Sequence, residues 1–247
     1  MEYTLLVNGF ENTIDFNNDE VENVHRTILS KLSALYSAKK RRIICLYAAP
    51  PGTGKSTSTA LWEILSREDS NLTNVQALPI DGFHYPNHYL SSHTIIREGK
   101  KINLKSIKGA PETYNAAALK RYVQQLAGGD EVSWPHYDRN IHDPVPNAIL
   151  VTAPIVVIEG NWILHKDGIW ASLRSYADFS VYQDAEENIL KKSLIERKIR
   201  GGVTREKAES HYRRSDCRNI KLVRENHLES DANIRWNNDL DRWYLDS

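Results

Sequence analysis

Residues 48–62 read AAPPGTGKSTSTALW, with Gly52 and Gly54 set among small residues and prolines just ahead of Lys55, Ser56 and Thr57. Upstream, IICLYA (43–48) is an unbroken apolar run of the kind a strand shows when a parallel sheet buries both its faces. Downstream, residues 55–67 suit a helix. A glycine-containing turn between such a strand and helix points successive main-chain N–H groups into one concavity at a helix N-terminus, where they bind phosphate oxygens. Loops of this kind most often open on glycine, and here Ala49 stands in that place. It falls at the strand-to-loop junction, outside the cradle, so a methyl group is tolerated there if its φ stays negative. Nucleotide contacts are therefore expected from Ala49, Pro50, Pro51, Gly52, Thr53, Gly54, Lys55, Ser56 and Thr57. Lys55 would reach the β- and γ-phosphates, and the Ser56 hydroxyl would ligate Mg²⁺.

Outward from this loop the texture stays that of an α/β protein. Short apolar runs at 75–80, 154–158 and 178–182 alternate with helical segments near 115–127 and 185–199, which predicts a doubly wound, mainly parallel sheet with flanking helices. Ahead of it, residues 3–7 and 13–16 alternate around Asn8-Gly9 as a β-hairpin does. Val21, Val24, Ile28, Leu32 and Leu35 then mark an amphipathic helix. This gives an N-terminal extension over 1–41 and a main domain over 42–247. The basic run Lys39-Lys40-Arg41-Arg42 reads as cations at a helix C-terminus. The stretches 82–111 and 128–148 read as long loops, and ANIRW and RWYL near the C-terminus as a closing strand pair.

Composition narrows the function classes. The 247 residues carry 32 basic and 32 acidic side chains, so no long-range field favours nucleic acid or an anionic membrane. Any anion has to be held locally. Cys45 and Cys217 lie far apart and match no metal spacing, Cys45 reading as buried strand filler. The apolar runs are too short to cross a bilayer and the start is not a basic leader, so a cytoplasmic protein is expected.

The loop alone does not separate a small-molecule kinase from a GTPase, a motor or a nucleotide-dependent switch. The chain has no N-K-x-D or L-S-G-G-Q, and its strand IVVIEGNW carries Glu159 followed by Gly160 instead of an Asp-Glu pair. These features disfavour GTPases and motors. Asp81, at the end of VQALPI, falls where open α/β sheets bind ligands and could take the proton of an attacking hydroxyl; the alternative is an Asx turn before Gly82. Glu159 would hold Mg²⁺ together with Ser56, or serve as a buried structural carboxylate. His84, His88, His93, His136 and His142 match no zinc spacing, so no further metal is expected.

Four blocks in order, APPGTGKST, PIDGFHYPN, KGAPETYN with WPHYDRNIHDP, and IVVIEGNWIL, resemble the phosphoribulokinase/uridine kinase-like kinases, with pantothenate kinase as a close cousin. The resemblance covers about residues 42–226 and is nearest to bacterial candidate nucleoside or sugar kinases. It implies a P-loop NTPase fold, ATP and Mg²⁺ as cofactors, and Asp81 as catalytic base. It further implies that Tyr137, Asp138 and His142 line the acceptor pocket, for which Asp81, His84, Tyr85, Lys108 and Arg139 are further candidates. Arg139 replaces the usual apolar or aromatic residue. A guanidinium suits a carboxylate, a phosphate or several hydroxyls better than a base face, unless it makes no contact at the surface. Lys108 is equally open between meeting the acceptor and standing in solvent.

Residues 187–214 read as two helices joined at Gly201-Gly202 with Thr204 as cap, either a closing lid or a solvated hairpin. As a lid they would carry Arg197 and Arg200, with Arg205, Arg213 and Arg214 as weaker candidates, onto the transferring phosphoryl group. The expected function is ATP-dependent transfer of the γ-phosphoryl group to a hydroxyl of a small metabolite: a sugar, a nucleoside or a pantothenate-like compound. The alternative is a nucleotide-binding regulatory ATPase without a metabolite acceptor. Neither nucleic acid nor membrane is expected as a partner, and the N-terminal hairpin and helix offer an interface for a homodimer.

Overall fold

The computed structural model describes residues 1–7 and 9–246, so the expected turn residue Asn8 lies outside the described residues. Strands β1 (Glu2–Val7) and β2 (Phe10–Asp15) form the N-terminal hairpin. Next come the short α1 (Asn18–Glu20), a π-helical stretch Val21–Arg26, and α2 (Thr27–Lys39). The periodicity predicts one helix over these segments but carries no signal for the π-turn inside it. Strand β3 (Ile43–Ala48) leads through the glycine loop into α3 (Lys55–Glu68), and β4 (Val75–Pro79) runs into a 3₁₀ turn, Ile80–Phe83.

The stretch 82–111, expected as loop, holds α4 (Asn87–Ser92) and the ribbon β5 (Thr94–Arg97) and β6 (Lys100–Asn103). After α5 (Ala116–Gly128), the stretch 128–148 is largely a second ribbon, β7 (Ser133–Asp138) and β8 (Asp143–Leu150). Three prolines, Pro135, Pro144 and Pro146, hide both strands from pattern reading. A two-stranded ribbon tolerates them because each strand has one unpaired edge. Strand β9 (Ile155–Gly160), α6 (Gly168–Ala171) and β10 (Phe179–Asp184) follow. Helices α7 (Glu187–Arg200), α8 (Arg205–His211) and α9 (Cys217–Glu225), with a π-helical stretch Tyr212–Asp216 between the last two, precede β11 (Ala232–Asn237) and β12 (Arg242–Asp246).

The main sheet has the order β12-β11-β10-β3-β9-β4; four of its five pairings are parallel, and the edge strand β12 runs antiparallel to β11. Period-two alternation splits β3 between two cores. Ile44, Leu46 and Ala48 face a layer containing Leu119, Val123, Trp134 and Trp162, whereas Ile43, Cys45 and Tyr47 face α2 and α3 through Ile28, Leu29, Leu32, Leu61 and Trp62. The N-terminal segment thus covers one face of the sheet. Lys40 closes α2 in the left-handed region, and Lys39 and Arg41 both pair with Asp178 at 2.6 Å. Among the described residues no helix is long and apolar enough to cross a membrane.

A buried polar chain links this packing to the glycine loop. The Gln183 amide donates to the Thr53 carbonyl at 3.2 Å and accepts from the Tyr47 hydroxyl at 2.7 Å, and the Tyr47 ring stacks on Trp62. Trp62 can only donate, so its bond of 2.9 Å makes His25 Nδ1 the acceptor and leaves the proton on Nε2, which faces Glu20 at 3.3 Å. Glu20 in turn accepts from the main-chain N–H of Trp243 in β12 at 3.1 Å.

Candidate active site

The parallel strands deliver the ends of β3, β4 and β9 to one edge of the sheet, and the site is built there. Ala49 is fully buried and is not among the residues with positive φ, as the sequence reading requires for alanine at this point. Gly52 and Gly54 take φ of +95° and +83°, a region open to glycine at little cost. A Cβ on Gly52 would also stand 2.9 Å from the Leu190 carbonyl oxygen, so α7 packs directly against the loop. Thr53 braces the turn by donating to the Pro50 carbonyl at 3.1 Å. Among the described residues the main-chain N–H groups of residues 52–56 have no protein acceptor, while those of Thr57 and Ser58 turn back to Gly54. These unpaired donors at the start of α3 form an anion cradle.

Beside the cradle three side chains converge. Ser56 Oγ donates to Glu159 Oε1 at 2.7 Å, and Lys55 Nζ stands 3.7 Å from Glu159 Oε2. Glu159 is nearly buried, with a side chain 7% exposed. A hydroxyl and a carboxylate held this way are hard oxygen donors of the type Mg²⁺ takes, so the residues present fit that ion. Gly160 lets Ile80 pass, since a Cβ there would lie 2.3 Å from Ile80 Cδ1.

Asp81 does not end β4 but sits in the 3₁₀ turn two residues beyond it. Its Oδ1 accepts from the Tyr114 hydroxyl at 3.3 Å, and its Oδ2 pairs with Arg139 at 3.4 Å. Partial burial pushes the Asp81 carboxyl up, but His84, Lys55, Arg139 and the Tyr114 hydroxyl together hold it below the ordinary value. Burial also depresses His84, so it exerts that pull only in acid where it is itself protonated; near neutrality it is an uncharged ring stacked on Tyr114 at 3.8 Å. Burial raises the Tyr114 hydroxyl well above 10, which keeps it a donor.

The expected acceptor residues divide. Arg139 reaches Asp81, whereas Lys108 is tied to Asn87 Oδ1 at 2.9 Å and to the His142 carbonyl at 3.0 Å, with its ammonium 5.0 Å from the Tyr137 ring centre. His142 contributes that main-chain oxygen, which also accepts from Tyr137 and Asn87 at 2.7 Å each, from a left-handed turn position at φ +54°. Asp138 braces the same turn by accepting from the Asn140 N–H at 2.7 Å. Tyr85 is not among the groups that reach Asp81; it stacks on Tyr89 and lines a separate groove of about 430 Å³ with Pro111, Tyr114 and Trp170. Arg197, exposed in the last turn of α7, has its affinity for protons lowered first by partial desolvation and then by Arg139, with Asp216 and Asp81 opposing. It therefore feels both ends of the Arg139–Asp81 pair. Arg200 is exposed near it, and Thr204 caps α8 through its bond from the Lys207 N–H.

Sequence reading missed Tyr114, although it lies inside the quoted block KGAPETYN. It is brought to Asp81 by the isolated bridge between His84 and Tyr114, a contact across 30 residues that no local pattern reports. One residue beyond the end of β9, Asn161 has a buried Oδ1 without a hydrogen-bond partner among the described residues.

The family model of the phosphoribulokinase/uridine kinase family matches residues 43–241. The chain belongs to that family. Accordingly it is a P-loop kinase, of the class that phosphorylates a hydroxyl group, and small molecules are the substrates that its relatives support. The kinase is 45% identical to YggC, an uncharacterized protein of Escherichia coli (strain K12), over 90% of each chain. It is 30% identical to a pantothenate kinase of Streptococcus gordonii over 64% of its own length, and spans about half the length of the pantothenate kinases it matches. A solved structure from Silicibacter sp. TM1040, described as a candidate fructose transport system kinase, shares the fold at TM-score 0.75 and 24% identity, with 86% of this kinase and 98% of that chain covered.

Proposed function

We propose that this kinase transfers the γ-phosphoryl group of ATP to a hydroxyl of a sugar, nucleoside or pantothenate-like metabolite. The observation that carries the reading is the position of Asp81: an ionised carboxylate outside the strand ends, under the electrostatic influence of the loop lysine Lys55. In this reading the N–H groups of residues 52–56 and Lys55 bind the β- and γ-phosphates. Ser56 and Glu159 would hold Mg²⁺, which when bound offsets the phosphate charge. The acceptor oxygen attacks the γ-phosphorus, the bond to ADP breaks, and the hydroxyl proton passes to Asp81. Helices α7 and α8 act as a lid. Arg197 and Arg200 bring positive charge to the phosphoryl group in flight, and closure keeps water out.

The reading is tested by ADP release from Mg-ATP across a panel of sugars, nucleosides and vitamins, with Asp81→Asn in parallel. The expected result is one compound that raises turnover at least tenfold, about 1.4 kcal/mol or more off the barrier, with that rise abolished in the variant. ATP hydrolysis indifferent to every compound and to Asp81→Asn would instead indicate a nucleotide-dependent switch.

A further inference from the structure

Both oxygens of Asp81 are engaged in the acceptor-free protein, Oδ1 by the Tyr114 hydroxyl and Oδ2 by Arg139. The Arg139 contact is a loose one. At 3.4 Å it is longer than a well-formed guanidinium–carboxylate pair, and both side chains are about two-fifths exposed (40% and 39%). An exposed pair of this kind contributes little and exchanges easily. Arg139 also lies in the turn that joins β7 to β8, directly after the last residue of β7, on a ribbon fixed to the end of β4 by the bond from Trp134 Nε1 to the Pro79 carbonyl at 2.9 Å.

Two guanidinium groups face one another in the surroundings. Arg139, Arg197 and Lys108 come together with Asp81, Asp143 and Asp216 as the carboxylates that oppose them, and Arg197 and Arg139 repel one another. An anionic acceptor bound between the two guanidinium groups would relieve that repulsion, which a neutral one would not. A planar guanidinium also binds a carboxylate or phosphate through two parallel N–H donors, a better fit than the 3.4 Å contact between Arg139 and Asp81.

We propose that Arg139 reads a carboxylate or phosphate group on the acceptor, and that binding this group draws the guanidinium off Asp81 and frees the carboxylate to take the hydroxyl proton. The proposal rests on the kinase reading above and names the class of its acceptor: a hydroxylated small molecule with its own negative charge. It also gives Arg139 a second role. Until the acceptor binds, Asp81 is held by its cation and activates no water, so ATP is spared.

The experiment measures ADP release with charge-matched pairs: pantothenate against pantothenol, gluconate against glucitol, and fructose 6-phosphate against fructose. The carboxylates and the phosphate separate the two sources of charge. In the unmodified kinase one anionic member should exceed its neutral partner at least tenfold in kcat/KM. Arg139→Gln should abolish that preference mainly through KM, and should raise ADP release without acceptor several-fold while leaving ATP affinity unchanged. Arg139→Lys should recover part of the preference, which a merely disrupted turn would not allow. A neutral compound as the better acceptor, or an Arg139→Gln variant with preference and basal rate intact, overturns the inference while the kinase reading stands. If no compound of either charge raises turnover, both fall together.

Discussion

Replacing Gly82 by alanine probes how closely the proposed base and the acceptor ribbon are fitted. A Cβ built on Gly82 lies 2.2 Å from the Pro135 carbonyl oxygen and 2.5 Å from its carbon, both main-chain atoms of β7. That is more than 1 Å short of ordinary contact, and neither partner is a side chain that can swing aside. The ribbon has to move by about 1 Å, carrying Tyr137 and Arg139 with it. Overpacking of this kind costs about 1–3 kcal/mol of stability. For a chain of this size it lowers Tm by ~2–4 °C per kcal/mol. A misplacement of 1 Å at a reacting group costs roughly 100-fold in rate. The glycine loop lies on β3 and α3, away from the clash. Gly82→Ala should therefore bind Mg-ATP with unchanged affinity, melt cooperatively at a lower temperature, and lose about 100-fold in acceptor-dependent turnover. Calorimetry, nucleotide titration and steady-state kinetics read the three quantities separately. Full turnover in Gly82→Ala would refute the reasoning, because it would mean that the position of the ribbon relative to Asp81 does not matter.

The remaining expectations concern the metal, pH and the N-terminal segment. Ser56→Ala removes the hydroxyl that meets Glu159 at 2.7 Å, and the Mg²⁺ concentration giving half-maximal ADP release should rise by about 10- to 100-fold, in line with ~1.5–3 kcal/mol for a hydrogen bond to a charged group; an unchanged Mg²⁺ titration would remove Ser56 from the metal site. Asp81 has to be ionised to accept a proton, and its lowered pKa means that kcat/KM should persist as pH falls toward ~4, the ordinary carboxylate range. Arg139→Gln takes away one of the cations that lower it, so the acid limb of the profile should move to higher pH; a limb that stays put or moves down contradicts this assignment. Deleting residues 1–41 strips Leu5, Val21, Ile28, Leu29 and Leu32, all fully buried, from the face of β3 and α3. At roughly 1.5–3 kcal/mol each they rival the ~5–15 kcal/mol of a whole domain, so the truncated protein should be insoluble or lack a cooperative melt. A truncated chain melting within a few degrees of the intact one would show that this face is stable without its cover.

The parallel sheet was legible because IICLYA and IVVIE are apolar on both faces, and the loop because Gly52, Gly54 and Lys55 carry its chemistry in adjacent positions. What stayed hidden depends on contacts between distant residues or on breaks in a pattern. The ribbon of β7 and β8 is masked by its prolines, and Tyr114 acquires its place at Asp81 from a bridge to His84. Lys108 illustrates the limit of residue type: a lysine near the acceptor side turns out to brace Asn87 and the His142 carbonyl, a distinction made by geometry alone.

The bond from Trp243 to Glu20 joins residues 223 positions apart, and Arg242 pairs with Asp19 beside it. During synthesis the hairpin and α1 emerge well before the strand that completes their polar contacts, 223 residues further along the chain. Until then Glu20 and His25 lack a finished setting and the apolar surface around them has no closed edge. The earlier-made segment is thus secured only by the later one. Folding yield should respond to synthesis rate and chaperone supply more sharply for damage at β12 than for damage of equal thermodynamic size in β4.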